Sequence, residues 1–289
     1  MISYIILILV IIYIIRYSTT LDTIKPKATK LHKNSLISIG IVPIFSKKNS
    51  SYHEFFKIIK YLNHISKSKN IFKRNKISIK IPQLSPDKHL QWIYLLNIVS
   101  VAQKYNIFIW ISTIIPSTLD VEYNFYLKLL SMGYRNIGIT LSTFNYSVSN
   151  KIDNILKLKG HIRLVKGMYY GNITNKDIIN KIYYNNAIKL VKSGYYHTLA
   201  THDFIILEKL YYHNNKYTDF IELAFFHNSY NYVKYMLPNM PFNTKFISFY
   251  VWYGDYFQYI KDNILLFSFS NILNITSYTF NSLKYTIKQ

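Results

Sequence analysis

The sequence predicts an α/β fold: a (β/α)8 barrel of the TIM type, preceded by an N-terminal hydrophobic anchor. Three observations carry this expectation. From Ser35 onward, eight short runs rich in Ile, Val, Phe, Tyr and Thr alternate with eight helix-length stretches. Such alternation implies a mainly parallel sheet, because each parallel crossover needs a helix-sized connection. Neither GxGxxG nor GxxxxGK[ST] occurs, which weakens the nucleotide-binding forms of the main competitor, an open doubly wound sheet. A chain of 289 residues would also suit two domains, but eight strand–helix units in residues 35–289 are enough for one closed barrel.

Residues 4–15 are unbroken apolar or aromatic, and Met1 and Ile2 extend the run. A membrane span usually needs ~20 residues, so this is a short one. No Lys or Arg precedes it, whereas Arg16, Lys25, Lys27, Lys30 and Lys33 follow it. The positive-inside rule then holds the body of the protein on the cytosolic side of a membrane contacted through residues 1–15. The alternative is a buried first strand or helix. On this reading residues 1–17 are anchor, 18–34 a basic linker and 35–289 the barrel.

The strand candidates are residues 36–45, 77–84, 107–113, 137–144, 162–169, 197–202, 220–226 and 246–253. Their β-branched and aromatic content suits a pleated buried surface. The helix candidates are 52–66, 87–105, 121–132, 149–158, 175–192, 204–213, 229–236 and 256–267. Ser85, Pro86 and Asp87 offer an N-cap with Pro in the first turn of the second helix. Within that helix Leu90, Ile93, Tyr94, Asn97, Ile98 and Val101 fall near 3, 4 and 7 spacing, predicting one apolar face. Gly133 and Gly194 sit where helix C-caps belong.

The charge balance is lopsided: 35 Lys and Arg against 13 Asp and Glu, net +22. Nucleic acid, an anionic membrane face or an anionic ligand could answer it. The basic run 67–76 reads as a solvated loop, and nucleic acid is the weakest of these partners. With no Cys, disulfides, Cys-ligated metals and thiol nucleophiles are excluded. Nine His show no metal-binding spacing, so no metal site is predicted.

Function in such barrels sits at the C-terminal ends of the strands. There the sequence delivers Lys80, Ser112 and Thr113, Ser142 and Thr143, Arg163 and Lys166, Thr201 with His202 and Asp203, and Glu222 in strand seven. Strand eight supplies Tyr250. Long cations are costly to bury unpaired, so Lys80, Arg163 and Lys166 suggest either an anion-filled mouth, or cations that snorkel outward or pair with Asp203 and Glu222.

These same stretches resemble the flavin-dependent proline dehydrogenases. Residues 161–169, His-Ile-Arg-Leu-Val-Lys-Gly-Met-Tyr, are close to that family's R-L-V-K-G-A-Y. Residues 198–203, Thr-Leu-Ala-Thr-His-Asp, are similar to its A-T-H-[ND] strand. Residues 249–254 resemble its Y-V-P-Y-G, and 77–80 the strand that presents its active-site lysine. The resemblance implies a (β/α)8 barrel holding FAD. It places Arg163 beside the flavin, Lys166 near the cofactor phosphates, and Thr201 and His202 along the cofactor. Lys80, Tyr250 and Tyr259 would face a small amino-acid ligand. The implied reaction moves a hydride from the proline ring to the flavin, giving pyrroline-5-carboxylate.

The departures carry as much information. The family's strand-three Asp-x-Glu stands as Ser112-Thr113-Ile114, and its glutamines in strands four and seven as Ser142 and Ala224. Its last helix writes Y-x-x-R-R, with two arginines on the substrate carboxylate, where this chain has Tyr259-Ile260-Lys261-Asp262-Asn263. Asp and Asn do not replace a bidentate arginine pair, and the loss weakens proline binding by on the order of 3–5 kcal/mol. The expectation is therefore a degenerate member without proline oxidation, a membrane-associated binding or structural protein. The alternative is a working FAD oxidoreductase.

Overall fold

The computed structural model describes residues 36–44, 52–65, 75–113, 116–166, 172–213, 219–226, 230–241 and 245–254. Strand and helix alternate throughout. The order is β1 (Leu36–Ile44), α1 (Tyr52–Ile65), β2 (Lys76–Ile79), α2 (Lys88–Lys104), β3 (Phe108–Ser112), α3 (Leu119–Ser131), β4 (Ile137–Ser142) and α4 (Val148–Lys157). Then follow β5 (His161–Val165), α5 (Lys176–Ser193), β6 (His197–Ala200), α6 (Phe204–His213), β7 (Ile221–Phe226), α7 (Tyr230–Met236) and β8 (Phe246–Gly254). The eight strands are hydrogen-bonded in sequence order into a closed barrel. Closure is parallel, with β1 registered on β8 from Leu36 opposite Phe246 to Ile44 opposite Gly254.

All eight expected strands are present, with shifted ends. β2 stops at Ile79, and Pro82 lies in a 3-10 turn over Ile81–Gln83. β5 ends at Val165. The expected anchor at 1–17, the linker at 18–34 and the eighth helix at 256–267 lie outside the described residues. Among the described residues no helix is long and apolar enough to cross a membrane.

Residue alternation sorts the strand side chains into two layers. Ile77 and Ile79, Ile109 and Ile111, Ile139 and Leu141, Ile162 and Leu164 belong to the main core between barrel and helices. The intervening residues face the barrel axis, and many are polar or aromatic: Lys76 and Ser78 on β2, Phe108, Trp110 and Ser112 on β3, Thr140 on β4, Arg163 on β5 and Glu222 on β7. Two glycines make room for the large rings. A Cβ on Gly138 would sit 2.2 Å from the Trp110 ring, and one on Gly40 would sit 2.3 Å from the Tyr250 ring.

The lower part of this interior is a buried ion pair. Lys76 Nζ lies 2.8 Å from Glu222, with both side chains fully buried. Lys76 also donates to Ser38 Oγ at 2.6 Å. Glu222 accepts from Ser248 at 2.8 Å, Thr198 at 3.2 Å and Tyr196 at 3.3 Å. Strands β1, β2, β6, β7 and β8 are thereby joined through one polar layer. This corrects the expectation that 67–76 is a solvated loop throughout: Lys76 is the first residue of β2 and points inward. In a Lys-rich run nothing local distinguishes the one lysine whose partner lies on β7.

The helix signals hold in part. Gly194 caps α5 in the left-handed region at φ 74°, and Gly133 has φ 88° just past α3. The N-cap of α2 is Asp87 rather than Ser85. Its carboxylate accepts the Leu90 N–H at 2.9 Å, while Ser85 Oγ accepts the Asp87 N–H at 3.1 Å and Pro86 precedes the helix. The buried face of α2 is Gln91, Leu95, Ile98, Val99 and Ala102, and Leu90 is exposed. The predicted face was displaced because apolar residues surround this helix, so their spacing alone does not select a side.

Lys76→Met and Glu222→Leu, made singly, each strand a buried charge and should cost about 3–5 kcal/mol in chemical unfolding. The double variant should lose less than the costlier single variant. If the losses simply add, the pair is not coupled.

His197 is fully buried. Its Nδ1 accepts the Ile162 N–H at 3.1 Å, which places the ring proton on Nε2, 3.0 Å from Ser193 Oγ. Burial first, then His161, pushes its pKa down to about 3. The unfolded chain therefore binds a proton below about pH 6.5 that the folded chain refuses, and stability from this group falls with pH. The stability advantage of wild type over His197→Gln should narrow by roughly 2 kcal/mol between about pH 7.5 and pH 5. An unchanged difference would show that the ring is protonated in the folded state.

Candidate functional site

At the C-terminal ends of the strands the barrel opens into a cavity of about 120 Å³. Its walls include Val42, Val165, Ala200, Ala224, Phe225 and Phe226. Its polar lining includes Lys80, Ser112, Thr140, Arg163, His202 and Tyr250. Among the described residues no acidic side chain lines it.

Arg163 lies at its base. It projects from the middle of β5 toward the axis and is 7% exposed. Nε donates to Thr140 Oγ1 at 2.9 Å, one terminal nitrogen to Ser78 Oγ at 2.9 Å and the other to Ser112 Oγ at 3.0 Å. These three neutral acceptors come from β4, β2 and β3. The guanidinium carbon is 4.7 Å from the Tyr250 ring centre and 5.4 Å from that of Trp110. Aromatic faces attract a cation through their quadrupole. A guanidinium has five N–H donors, and three of them go to these hydroxyls.

Lys80 lies just past the end of β2, two residues beyond Ser78. It is buried beside the cavity, and burial pushes its ammonium down to about 7. Tyr250 is buried on β8, and burial raises its phenol above the ordinary range although Arg163 pulls the other way. His202 lies near-parallel to Phe226, ring centres 6.3 Å apart. Burial pushes its pKa down to about 4, so it is neutral at pH 7.

Of the expected site residues, Lys80, Arg163, His202 and Tyr250 line this one cavity. Lys166 and Thr201 are not among the cavity-lining residues. Lys166 pairs with Asp203 at the rim, and its carbonyl accepts from Thr143 at 2.6 Å. Thr201 Oγ1 accepts the Asp203 N–H at 3.1 Å, and Asp203 in turn accepts the Ile206 N–H at 3.2 Å at the start of α6. Their visible work is to hold the β6–α6 turn. Tyr259 lies outside the described residues. Of the two readings of the cations, pairing describes Lys166, while Arg163 faces the cavity on neutral hydroxyls and Glu222 is taken by Lys76. Sequence reasoning missed Ser78, Thr140 and Trp110. The signal was the every-second-residue polar series 76, 78, 80 and the Trp110–Gly138 size match across β3 and β4.

No family model matches the chain. Over 137 residues, 44% of this chain and 44% of the relative, it is 26% identical to proline dehydrogenase 2 of Bacillus subtilis strain 168. The chain therefore aligns with less than half of that relative's length. Among solved structures, the proline utilization A (PutA) protein of Bdellovibrio bacteriovorus, inactivated by N-propargylglycine, superposes with a TM-score of 0.71 at 14% identity. That match covers 85% of this chain and 31% of the larger protein. PutA of Bradyrhizobium japonicum gives a TM-score of 0.64 at 15% identity, covering 78% and 28%. These structural likenesses establish the barrel. Together with the sequence match, they make this a proline-dehydrogenase-like chain.

Proposed function

We propose that this protein is a membrane-associated binding protein, built on a proline-dehydrogenase-like barrel, that does not oxidise proline. One observation carries the reading: Arg163 stands at the base of the cavity on three neutral hydroxyls, with no acid lining the cavity among the described residues. An amino acid brings an ammonium as well as a carboxylate. A cavity with a fixed guanidinium and no acid attracts the carboxylate and repels the ammonium. Ser112, Ser142 and Ala224 line the positions where the resemblance expects an acid and two amides. The replaced arginine pair at Asp262 and Asn263 points the same way.

FAD is the cofactor the resemblance implies, and the residues present fit its ring. Six of the lining residues are apolar, the Arg163 guanidinium faces the cavity, and neutral His202 stacks near Phe226. Bound flavin would supply an electron acceptor. Arg163 and His202 would hold it, whereas Lys166 would first have to leave Asp203 to reach phosphate. The second reading, a working FAD oxidoreductase on proline or a related substrate, is favoured by Lys80, Arg163 and Tyr250 sharing one cavity. Residues 1–15 supply the membrane contact in either reading, with the body on the cytosolic side.

The two readings separate in solution. Small carboxylates should raise the thermal midpoint of wild type, by an amount equivalent to ~2.7 kcal/mol at a hundred times Kd, and leave Arg163→Gln unshifted. Protein loaded with FAD should keep its visible flavin absorbance under anaerobic proline. Bleaching by proline would establish the oxidoreductase instead. Deleting residues 1–15 should move the protein from the membrane pellet to the supernatant; a truncated chain that still pellets would refute that contact.

A further inference from the structure

The cavity contains more than an anion site. Lys80 lies two residues beyond Ser78, immediately after β2, and Ser78 accepts one of the Arg163 hydrogen bonds. Lys80 and Arg163 line the same cavity. A ligand whose carboxylate rests on Arg163 would present its adjacent carbons toward Lys80. We infer that Lys80 forms a Schiff base with a small 2-oxo acid whose carboxylate is held by Arg163. The inference rests on the reading of the cavity as a carboxylate-binding site, and it needs no flavin.

The chemistry closes on groups already present. A neutral amine nitrogen attacks the ligand's carbonyl carbon, forming the C–N bond while the carbonyl π electrons move to oxygen. That oxygen gains a proton and the nitrogen loses one, giving a carbinolamine. The nitrogen lone pair then forms C=N as hydroxide leaves with a proton, as water. Lys80 loses two hydrogens, the ligand loses its carbonyl oxygen, and nothing is oxidised or reduced. The nucleophile must be unprotonated. Burial pushes Lys80 to about 7, whereas an ordinary lysine titrates near ~10.4 and is almost wholly charged at neutral pH. The departing hydroxyl needs a proton, and the phenol of Tyr250 lines the same cavity and is kept protonated by burial.

The test uses the full chain, pyruvate and sodium cyanoborohydride, with the modified peptides mapped by mass. The expected result is a saturable carboxyethyl group on Lys80. It should form at least tenfold faster at pH 7 than on exposed lysines such as Lys57 and Lys245, and its pH profile should turn near neutrality. Acetone offers a ketone without a carboxylate, and it should not select Lys80. Lys80→Arg should lose the label, and Arg163→Gln should need at least tenfold more pyruvate. The pyruvate–acetone comparison on wild type stands even if both variants fold poorly. Labelling of Lys80 no faster than of Lys57, or equal labelling by acetone, overturns the inference. If pyruvate raises the thermal midpoint through Arg163 without labelling Lys80, the covalent step fails and the binding reading stands. If it does neither, both fail.

Discussion

A guanidinium buried in the barrel on neutral partners is the constraint around which the upper interior is arranged. Removing a charge from water costs several kcal/mol even after relaxation. Here that cost is offset by hydroxyls from three different strands and by two aromatic faces, of Trp110 and Tyr250. Those rings fit only because Gly138 and Gly40 leave space opposite them. One cation thus specifies Ser78, Thr140 and Ser112, and the two rings beside it specify the two glycines.

The layer beneath is electrically different. Lys76 and Glu222 neutralise one another and satisfy the hydroxyls around them. The interior as a whole therefore keeps the positive charge of Arg163, directed at the cavity. Lys80 adds a second group there whose charge burial has made conditional. Serine and alanine stand where an acid and two amides are expected from proline dehydrogenases, and among the described residues no acidic side chain lines this cavity. Lys57, Lys151, Lys189 and Lys245 have no part in this: each pairs with an acid at or near the surface.

Much of the site was legible because its residues sit in short contiguous motifs. Arg163 lies in the segment that resembles a known strand, and Tyr250 and His202 in two others. What was illegible was pairing between strands. Asp203 was a candidate partner for three cations, and only packing shows that Lys166 takes it. Glu222 was a second candidate, and it goes to Lys76, a residue that reads as loop. The α2 helix shows the same limit in the core: with apolar residues on most sides, its buried face is selected by what it packs against.

By itself the sequence determined the alternation of strand and helix, the number of strands and the chemical types delivered to their C-terminal ends. These depend on local propensity and on a period of two, which a chain carries in its own order. Only the tertiary structure decided which cation faces a carboxylate and which faces a cavity. That depends on residues up to 146 positions apart, as between Lys76 and Glu222, being brought within 3 Å by closure of the barrel. The energy of a buried charge is set by that surrounding and not by its neighbours in the chain.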